Sequence, residues 1–434
     1  MKQHTKYLLH ISIFVLLAIL VIAPVSAQDD DKFVYWGGLI FSEEANDAVV
    51  ARIEEWGEMK GIEVEVIMIN QNETVQRVSA AIEAGTMPDA LDMGRGTMLL
   101  LSQDELLASM NDLYDEIGEA HGGWIDAIDT VMNVEAFEGA VYGIPYAASA
   151  GNVLYRRIDV LEPAGFTEAP TTWEELSEQA AAHNPPENYG LGFALSNVGD
   201  ANTITTLALQ GWGGRIADDD GLNCTIDSEE TREFLTWITG AFEDGLFSPG
   251  ATTWDGGGDN TAYQSGNAVF IANPGSVYLN IRENDPELLE MTRFSGIPGG
   301  PVMRIAAVDA SVRVIPATAS EEKQELAMDL FKYLSEDEFM SEWLSVAING
   351  PVLHDQVDFP VFTDSPVHVG LLDTTLNGTA GTFPEVDNPA FAEVQSNFII
   401  PGMVQRIVID GLSIDDSIAE TQAACQAIYD KHNE

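Results

Sequence analysis

Hydrophobic and polar positions follow two different periods along this chain. Phe33-Val34-Tyr35-Trp36 is a short apolar run closed by Gly37-Gly38, which reads as a strand. Over residues 43–60 the apolar positions Ala45, Val49, Ile53 and Trp56 recur at helical spacing, and Gly61 stops the run. Residues 62–69 then alternate apolar and acidic before ending apolar, so a second strand follows. A helix is predicted over 74–84, a turn over 85–89 and a further short strand from Ala90-Leu91. Strand, helix, strand, helix, strand in this order is the signature of an α/β sheet with right-handed crossovers. Ligands of such sheets bind beyond the carboxyl ends of the strands, which points at Trp36-Gly37-Gly38 and at residues 92–97.

The chain is organised around residues 139–155. Gly139-Ala-Val-Tyr-Gly-Ile-Pro-Tyr146 combines a turn, a short apolar strand and a proline stop, and residues 152–155 form a second strand-like run. The small residues 147–151 between them leave room for a ligand or a hinge; an ordinary β-turn-β connection is the other reading. A second α/β unit follows. Thr172 and Glu175 make a capping box, 189–195 reads as a strand, and helices are predicted over 203–210 and 231–242. A strand over 267–272 runs into Asn273-Pro-Gly-Ser276. Residues 298–303 and Asn349-Gly-Pro351 are two further Gly/Pro-rich crossings, and helices close the pattern at 321–334 and 414–430. There is no internal repeat and no low-complexity linker. Three short crossings in place of one linker imply two lobes woven from discontinuous segments. The expected division is 28–145 and 301–349 in the first lobe, 146–300 and 350–434 in the second.

Composition sharpens this picture. With 434 residues, 45% of them hydrophobic, the chain can fill more than one core. Lys2 and Lys6 precede an apolar run from Leu8 to Ala23, and Val25-Ser26-Ala27 has the small-x-small form of a cleavage site. Residues 1–27 therefore read as a secretory signal peptide, with localisation in the periplasm or at the cell surface after cleavage near Ala27. No cysteine stands there to carry a lipid. Cys224 and Cys425 are the only two cysteines, and the sequence leaves open whether they meet. The signal holds two lysines and no acids, so its loss moves the formal charge from −51 to −53. Nothing so acidic neutralises phosphates, which excludes nucleic acid as a partner. The acids are spread along the whole chain, which favours a heavily hydrated surface over one cation-binding site.

Several stretches carry a resemblance. They are Gly85-Thr-Met-Pro-Asp89; residues 139–145 with Leu154-Tyr155-Arg156; Ala164-Gly165 ahead of 170–176; and Phe242-Glu-Asp-Gly245. Residues 263–270 around Gly266, Asn273-Pro-Gly275, residues 327–334 and Asn349-Gly-Pro-Val352 complete the set. In order and spacing they resemble the extracellular solute-binding proteins of ABC importers, in the broad family that includes maltose-binding and other sugar-binding proteins. The resemblance spans almost all of the chain beyond the signal. It implies a two-lobed periplasmic-binding-protein fold, lobes joined by a hinge of crossing segments, a small ligand in the interlobe cleft, and a membrane permease that reads hinge closure. The chain departs from the family where Ser276-Val277-Tyr278 stands in place of a common tryptophan, and at Arg156-Arg157, where lysine is usual. The substrate does not carry over.

Sugars are held by planar hydrogen bonds and by an aromatic ring against their apolar face. The first-lobe candidates are Trp36, Glu43, Asp92 and Arg95. Core packing is the alternative for Trp36, and a mutual salt bridge for Asp92 and Arg95. Tyr146 and Ser149 are the hinge candidates, with Tyr146 equally suited to bonding the backbone. The second lobe offers Asn202, Trp212, Trp254, Asp255, Asn273, Ser276 and Tyr278. Of these, Trp254-Asp255 ahead of three glycines is the most informative, since such a pair is poor core material. Trp212 could equally bracket a helix end. On the returning segment Arg304, Asp309 and Arg313 are rare charges in an apolar stretch, with Arg304 taken as a ligand contact and surface placement as the alternative.

The histidines stand isolated, with no HExxH or His/Cys cluster, so no metal is expected. No nucleophile elbow and no phosphate-binding glycine loop occur, and no cofactor is expected. The reading is a monomeric, non-catalytic binding protein for a mono- or oligosaccharide, delivered to an ABC permease. Its rivals are a polyamine or other small-solute binder of the same fold, a secreted glycoside hydrolase with a carboxylate pair, and a surface-layer protein, which the lack of repeats disfavours.

Overall fold

The helix Glu43–Lys60 begins where Ser42 accepts a hydrogen bond from the Ala45 amide at 3.2 Å and ends at Gly61, whose φ of +70° favours glycine. Its buried face, Ala45, Val49, Ile53 and Trp56, is the one the periodicity predicts. The Trp56 indole meets Phe33 edge-on at 5.4 Å between ring centres and donates to Asp329 at 2.8 Å. Burying such a ring stabilises by about 1.5–3 kcal/mol relative to leaving it in water.

The computed structural model describes residues 32–433 apart from 41, 71–72, 134–138, 151–152, 274 and 381. The signal peptide and its cleavage site lie outside the described residues, as do Gly151 and Asn152. The strands are β1 (Lys32–Leu39), β2 (Glu63–Asn70), β3 (Ala90–Gly94), β4 (Ile144–Ala150), β5 (Val153–Arg157), β6 (Tyr189–Leu191), β7 (Ala268–Asn273), β8 (Thr292–Ser295), β9 (Ala307–Val314) and β10 (Thr379–Ala380). They make two sheets. The first has the order β10-β9-β3-β1-β2, with β4 also paired to β9; the second has the order β6-β7-β5-β8. In the first, β1 lies parallel to β2 and β3, and β9 runs antiparallel to β3. The result is the two-lobed α/β architecture that the sequence implies.

Each sheet has its own core. Apolar residues of 33–148 and 308–362 pack round the first sheet, and those of 153–305, 367–371 and 390–429 round the second. Three expected lobe boundaries move, the one at 301 because Ile305 is buried in the second core and β9 begins only at Ala307. β4 stays on the first sheet to Ala150, because its small residues pair with β9. Residues 350–362 also join the first lobe, since Val352, Leu353, Val361 and Phe362 are buried in its core. The strand expected over 189–195 stops at Leu191. Beyond it the Leu195 amide turns aside to Ala251 O at 2.8 Å. The capping box forms, with Thr172 Oγ1 accepting from the Glu175 amide at 3.1 Å and Glu175 reaching back to the Thr171 amide at 2.7 Å. Cys224 and Cys425 form a disulfide that fastens the last helix, Ile414–Asn433, to the second lobe.

Candidate functional site

Two of the expected crossings, 139–155 and 349–351, lie side by side, whereas residues 298–303 bond Thr171 and Gly211 of the second lobe and β9 takes the third place. β4 pairs antiparallel with β9, Ser149 opposite Asp309, and Ala148 also exchanges backbone hydrogen bonds with Gly350 at 3.0 and 3.1 Å. Backbone therefore ties three stretches of chain where the lobes meet. The side chain of Ser149 lies outside what the structure describes.

On the first-lobe side, β1 and β3 end in Trp36–Leu39 and in Gly94 before the helix Arg95–Gln103. Trp36 is half-buried against the first core, and Glu43 is exposed in the first turn of its helix. Asp92 and Arg95 take different partners. Asp92 accepts from the Tyr35 hydroxyl and from the Gly38 amide at 3.2 Å, with Arg313 Nε at 3.8 Å. The Arg313 guanidinium lies 4.5 Å from the centre of the Tyr146 ring. All four side chains are buried, so Asp92 and Tyr146 brace the core and are not open to a ligand. Sheet register, which sets Asp92 opposite Arg313, accounts for the pairing. Burial pushes the Asp92 carboxyl up, opposed by Arg313 and by the Tyr35 and Gly38 donors. Burial also pushes the Tyr35 hydroxyl well up, and it stays a donor.

Arg95 is itself buried, with Nε 2.5 Å from Asp309 and Nη2 3.7 Å from Asp387. Arg304 also finds an acid, Asp373 at 2.7 Å, and donates to Ile297 O at 2.8 Å; it braces its own crossing segment.

On the second-lobe side, Trp254 is half-buried between two parts of the apolar packing. A Cβ at Gly258 would lie 2.3 Å from its Cγ and one at Gly250 2.5 Å from its Nε1, so the glycines beside it give the indole its space. The Ser196 hydroxyl donates to Trp254 O at 2.5 Å. Asp255 is exposed and accepts from the Gly257 amide at 3.1 Å. At the carboxyl end of β7, Asn273 donates to Asp259 at 3.2 Å and to Asn260 at 2.5 Å, and accepts from Ser276 at 3.2 Å. Burial, then the charge of Asp200, pushes the Asp259 carboxyl up to about 6. Asp259 and Asn273 are themselves buried, so the half-buried Trp254, Asn260 and Ser276 are the groups here that suit a polyol.

Other expected contacts fall elsewhere. Trp212 stacks on Trp237 at 4.7 Å inside the second core, at the end of the helix Gly199–Gly211. Tyr278 is core as well, 5.6 Å from the Phe294 ring, its amide bonded to the Tyr155 hydroxyl at 3.1 Å. Asn202 bonds Gln395 at 2.5 Å and joins two helices. Asp387, Asp200, Asp259 and Asn260 escaped sequence reasoning. Asp259-Asn260 follow a glycine run at a helix start, which is a signal, but their partner Asn273 comes close only through folding. His121 is not isolated, since its Nδ1 lies 2.8 Å from Asp355 and 3.1 Å from Asp337. Each of the three lies at or next to a helix end, and one ligand atom from each lies within 4.8 Å of the others.

A cavity of about 640 Å³ opens at the amino ends of β1 and β3, lined by Phe33, Met87, Leu106 and Lys323 among others. It faces away from the crossings, at the pole where such sheets do not bind ligands. Among the described residues no helix is long and apolar enough to cross a membrane.

The family described as bacterial extracellular solute-binding protein matches residues 51–368. A provisionally named binding protein of Brucella abortus is 24% identical over 288 residues, which cover 66% of this chain and 66% of that protein. The chain thus spans about two thirds of that relative's length. Among solved structures, the sugar-binding protein MalE from Xanthomonas citri is similar at a TM-score of 0.76 and 17% identity, covering 93% of this chain and 98% of that one. The maltose-bound MalE3 of T. maritima is similar at a TM-score of 0.71 and 21% identity, covering 92% and 99%. At these identities the two likenesses speak to the fold.

Proposed function

Since the chain belongs to the bacterial extracellular solute-binding proteins, we propose that it captures a mono- or oligosaccharide between its lobes and passes it to an ABC permease on closure. The observation that carries this reading is Trp254. Its half-buried indole, given room by Gly250 and Gly258, lies just ahead of the helix Gly258–Gln264, whose half-buried Asn260 accepts from Asn273 at the end of β7, and Ser276 beyond β7 is half-buried too. A sugar presents an apolar face to such a ring and hydroxyls to such a cluster. From the first lobe, Trp36 and Glu43 at the carboxyl end of β1 supply the opposing contacts. Sugar-binding solved structures of the same fold support the ligand class.

Closure follows from differential affinity. A ligand that touches both walls binds the closed arrangement more tightly, and it shifts the population only by that difference. The protein works as a monomer outside the cytoplasmic membrane, by binding and without catalysis.

A thermal-shift screen of the mature protein against sugars, polyols and polyamines tests the proposal. A ligand at a hundredfold its Kd stabilises by about 2.7 kcal/mol. A shift with one sugar class, lost in Trp254→Ala, is the expected result. A shift with polyamines alone overturns the substrate, and product release from a chromogenic glycoside overturns the non-catalytic reading.

A further inference from the structure

We propose that Arg95 and Asp387 form an electrostatic latch between the lobes, so that the lobe separation, and through it ligand affinity, depends on ionic strength. This rests on the binding reading above and adds the regulation of that site. Arg95 opens its helix at the carboxyl end of β3 and is 8% exposed. Its Nε, 2.5 Å from Asp309 on β9, fixes the guanidinium to the first sheet. Its Nη2 faces Asp387 at 3.7 Å.

Asp387 belongs to the other lobe, pinned by the residues around it. The Glu385 carboxylate accepts from the Ile216 and Ala217 amides at 3.0 and 3.1 Å. Asn388 donates to Gly221 O at 2.8 Å and caps the helix Pro389–Ser396 by accepting from the Phe391 amide at 2.8 Å. Ala390, Phe391 and Val394 of that helix lie in the second core. Both ends of the pair are therefore anchored, and the gap between them reports the separation of two lobes. At 3.7 Å it is an ion pair without a hydrogen bond, and small changes in lobe angle make or loosen it.

The Asp387 side chain is 51% exposed, so salt reaches it. Arg95 also separates two acids. Without its charge, Asp309 and Asp387 repel across the lobe boundary. Loss of the arginine should thus open the molecule further than loss of Asp387, a difference that simple packing loss at Asp387 does not produce. Cations are scarce in this chain, 19 Lys and Arg against 70 Asp and Glu, so no surplus of basic side chains stands in for Arg95.

The test uses the mature, ligand-free protein with spin labels at exposed positions of the two lobes, Glu58 and Asp410. Label distances are compared at about 50 mM and about 1 M NaCl, where the screening length falls from more than 10 Å to about 3 Å. The wild type should shift to longer distances at high salt. Asp387→Asn should show long distances at both salts, and Arg95→Gln longer ones still. Asp415→Asn, which removes an exposed pair with Arg232 inside the second lobe, should match the wild type. With a ligand in hand, Asp387→Asn should weaken Kd roughly two- to fivefold at low salt, the range of exposed ion pairs. If Asp387→Asn keeps the wild-type distances and salt response, the latch is wrong even where sugar binds. If the distances depend on salt and Asp387 but no sugar binds, the latch stands and the substrate reading falls.

Discussion

Replacing Arg313 by methionine tests how the first lobe holds its cleft-side strands. The guanidinium stands 3.8 Å from Asp92 and over Tyr146, with Nε and Nη1 buried and without a hydrogen-bond partner. Coulomb attraction at that distance, with an effective dielectric of about 20, is roughly 4 kcal/mol. Breaking a buried pair from one side costs about 3–5 kcal/mol, because the remaining charge stays buried. Arg313→Met should lose that much stability in urea unfolding at pH 7.5. Burial already raises the Asp92 carboxyl, and losing the cation lifts it further. A carboxyl raised on folding lends stability that is present below its unfolded value and lost as pH rises through its folded value. The deficit of Arg313→Met should therefore be smaller at pH 5 than at pH 7.5, since the raised carboxyl is closer to protonation there. In Asp92→Asn/Arg313→Met both charges are gone, and stability should return to within about 2 kcal/mol of wild type. A deficit below about 1 kcal/mol at both pH values, or a double variant that costs the sum of the singles, would refute the reasoning.

The disulfide closes a loop with a sequence separation of 201, for which loop entropy predicts about 5 kcal/mol. Cys224→Ser/Cys425→Ser should lower the melting temperature by many degrees, as should reduction; an unchanged melting point would count against it. Asp259, raised to about 6 in the fold, costs up to roughly 3 kcal/mol when ionised, and that cost grows as pH rises from about 4 to 7. Asp259→Asn should flatten the stability profile over that range, and an unaltered profile would show that Asp259 does not drive it. Trp56→Ala should cost about 3–5 kcal/mol in chemical denaturation, through the lost contact with Phe33 and the cavity left behind. A loss under 1 kcal/mol would mean the helix Glu43–Lys60 is not held by that ring.

The fold was legible where a period repeats. Ala45, Val49, Ile53 and Trp56 face inward as their spacing demands, and Gly61 ends the helix. Thr172 and Glu175 cap as expected because a capping box is local. Partner choice was not legible. Asp92 and Arg95 stand three apart, yet one turns to Arg313 and the other to Asp309, because sheet register brings together residues more than 200 positions apart in sequence. Trp212 looked available because it follows a glycine, and Tyr278 because it stands near the family's common tryptophan, but both rings pack inward. Trp254 differs because its glycines make room for the ring itself. The pairing of Cys224 with Cys425 was open for the same reason as the ion pairs: distance in space is not written in spacing.

The position of β9 governs when this molecule can exist. β3 ends at Gly94 and β9 begins at Ala307, yet β9 lies between β3 and β10 and also pairs β4. A chain emerging from its amino end exposes Phe33, Tyr35 and Leu91 with the middle of their sheet missing until residue 314 has appeared. The second lobe waits longer still, for Ile418, Cys425 and Tyr429 of the last helix. Neither core is complete until these late segments are present, so long-range pairing has to wait for most of the chain.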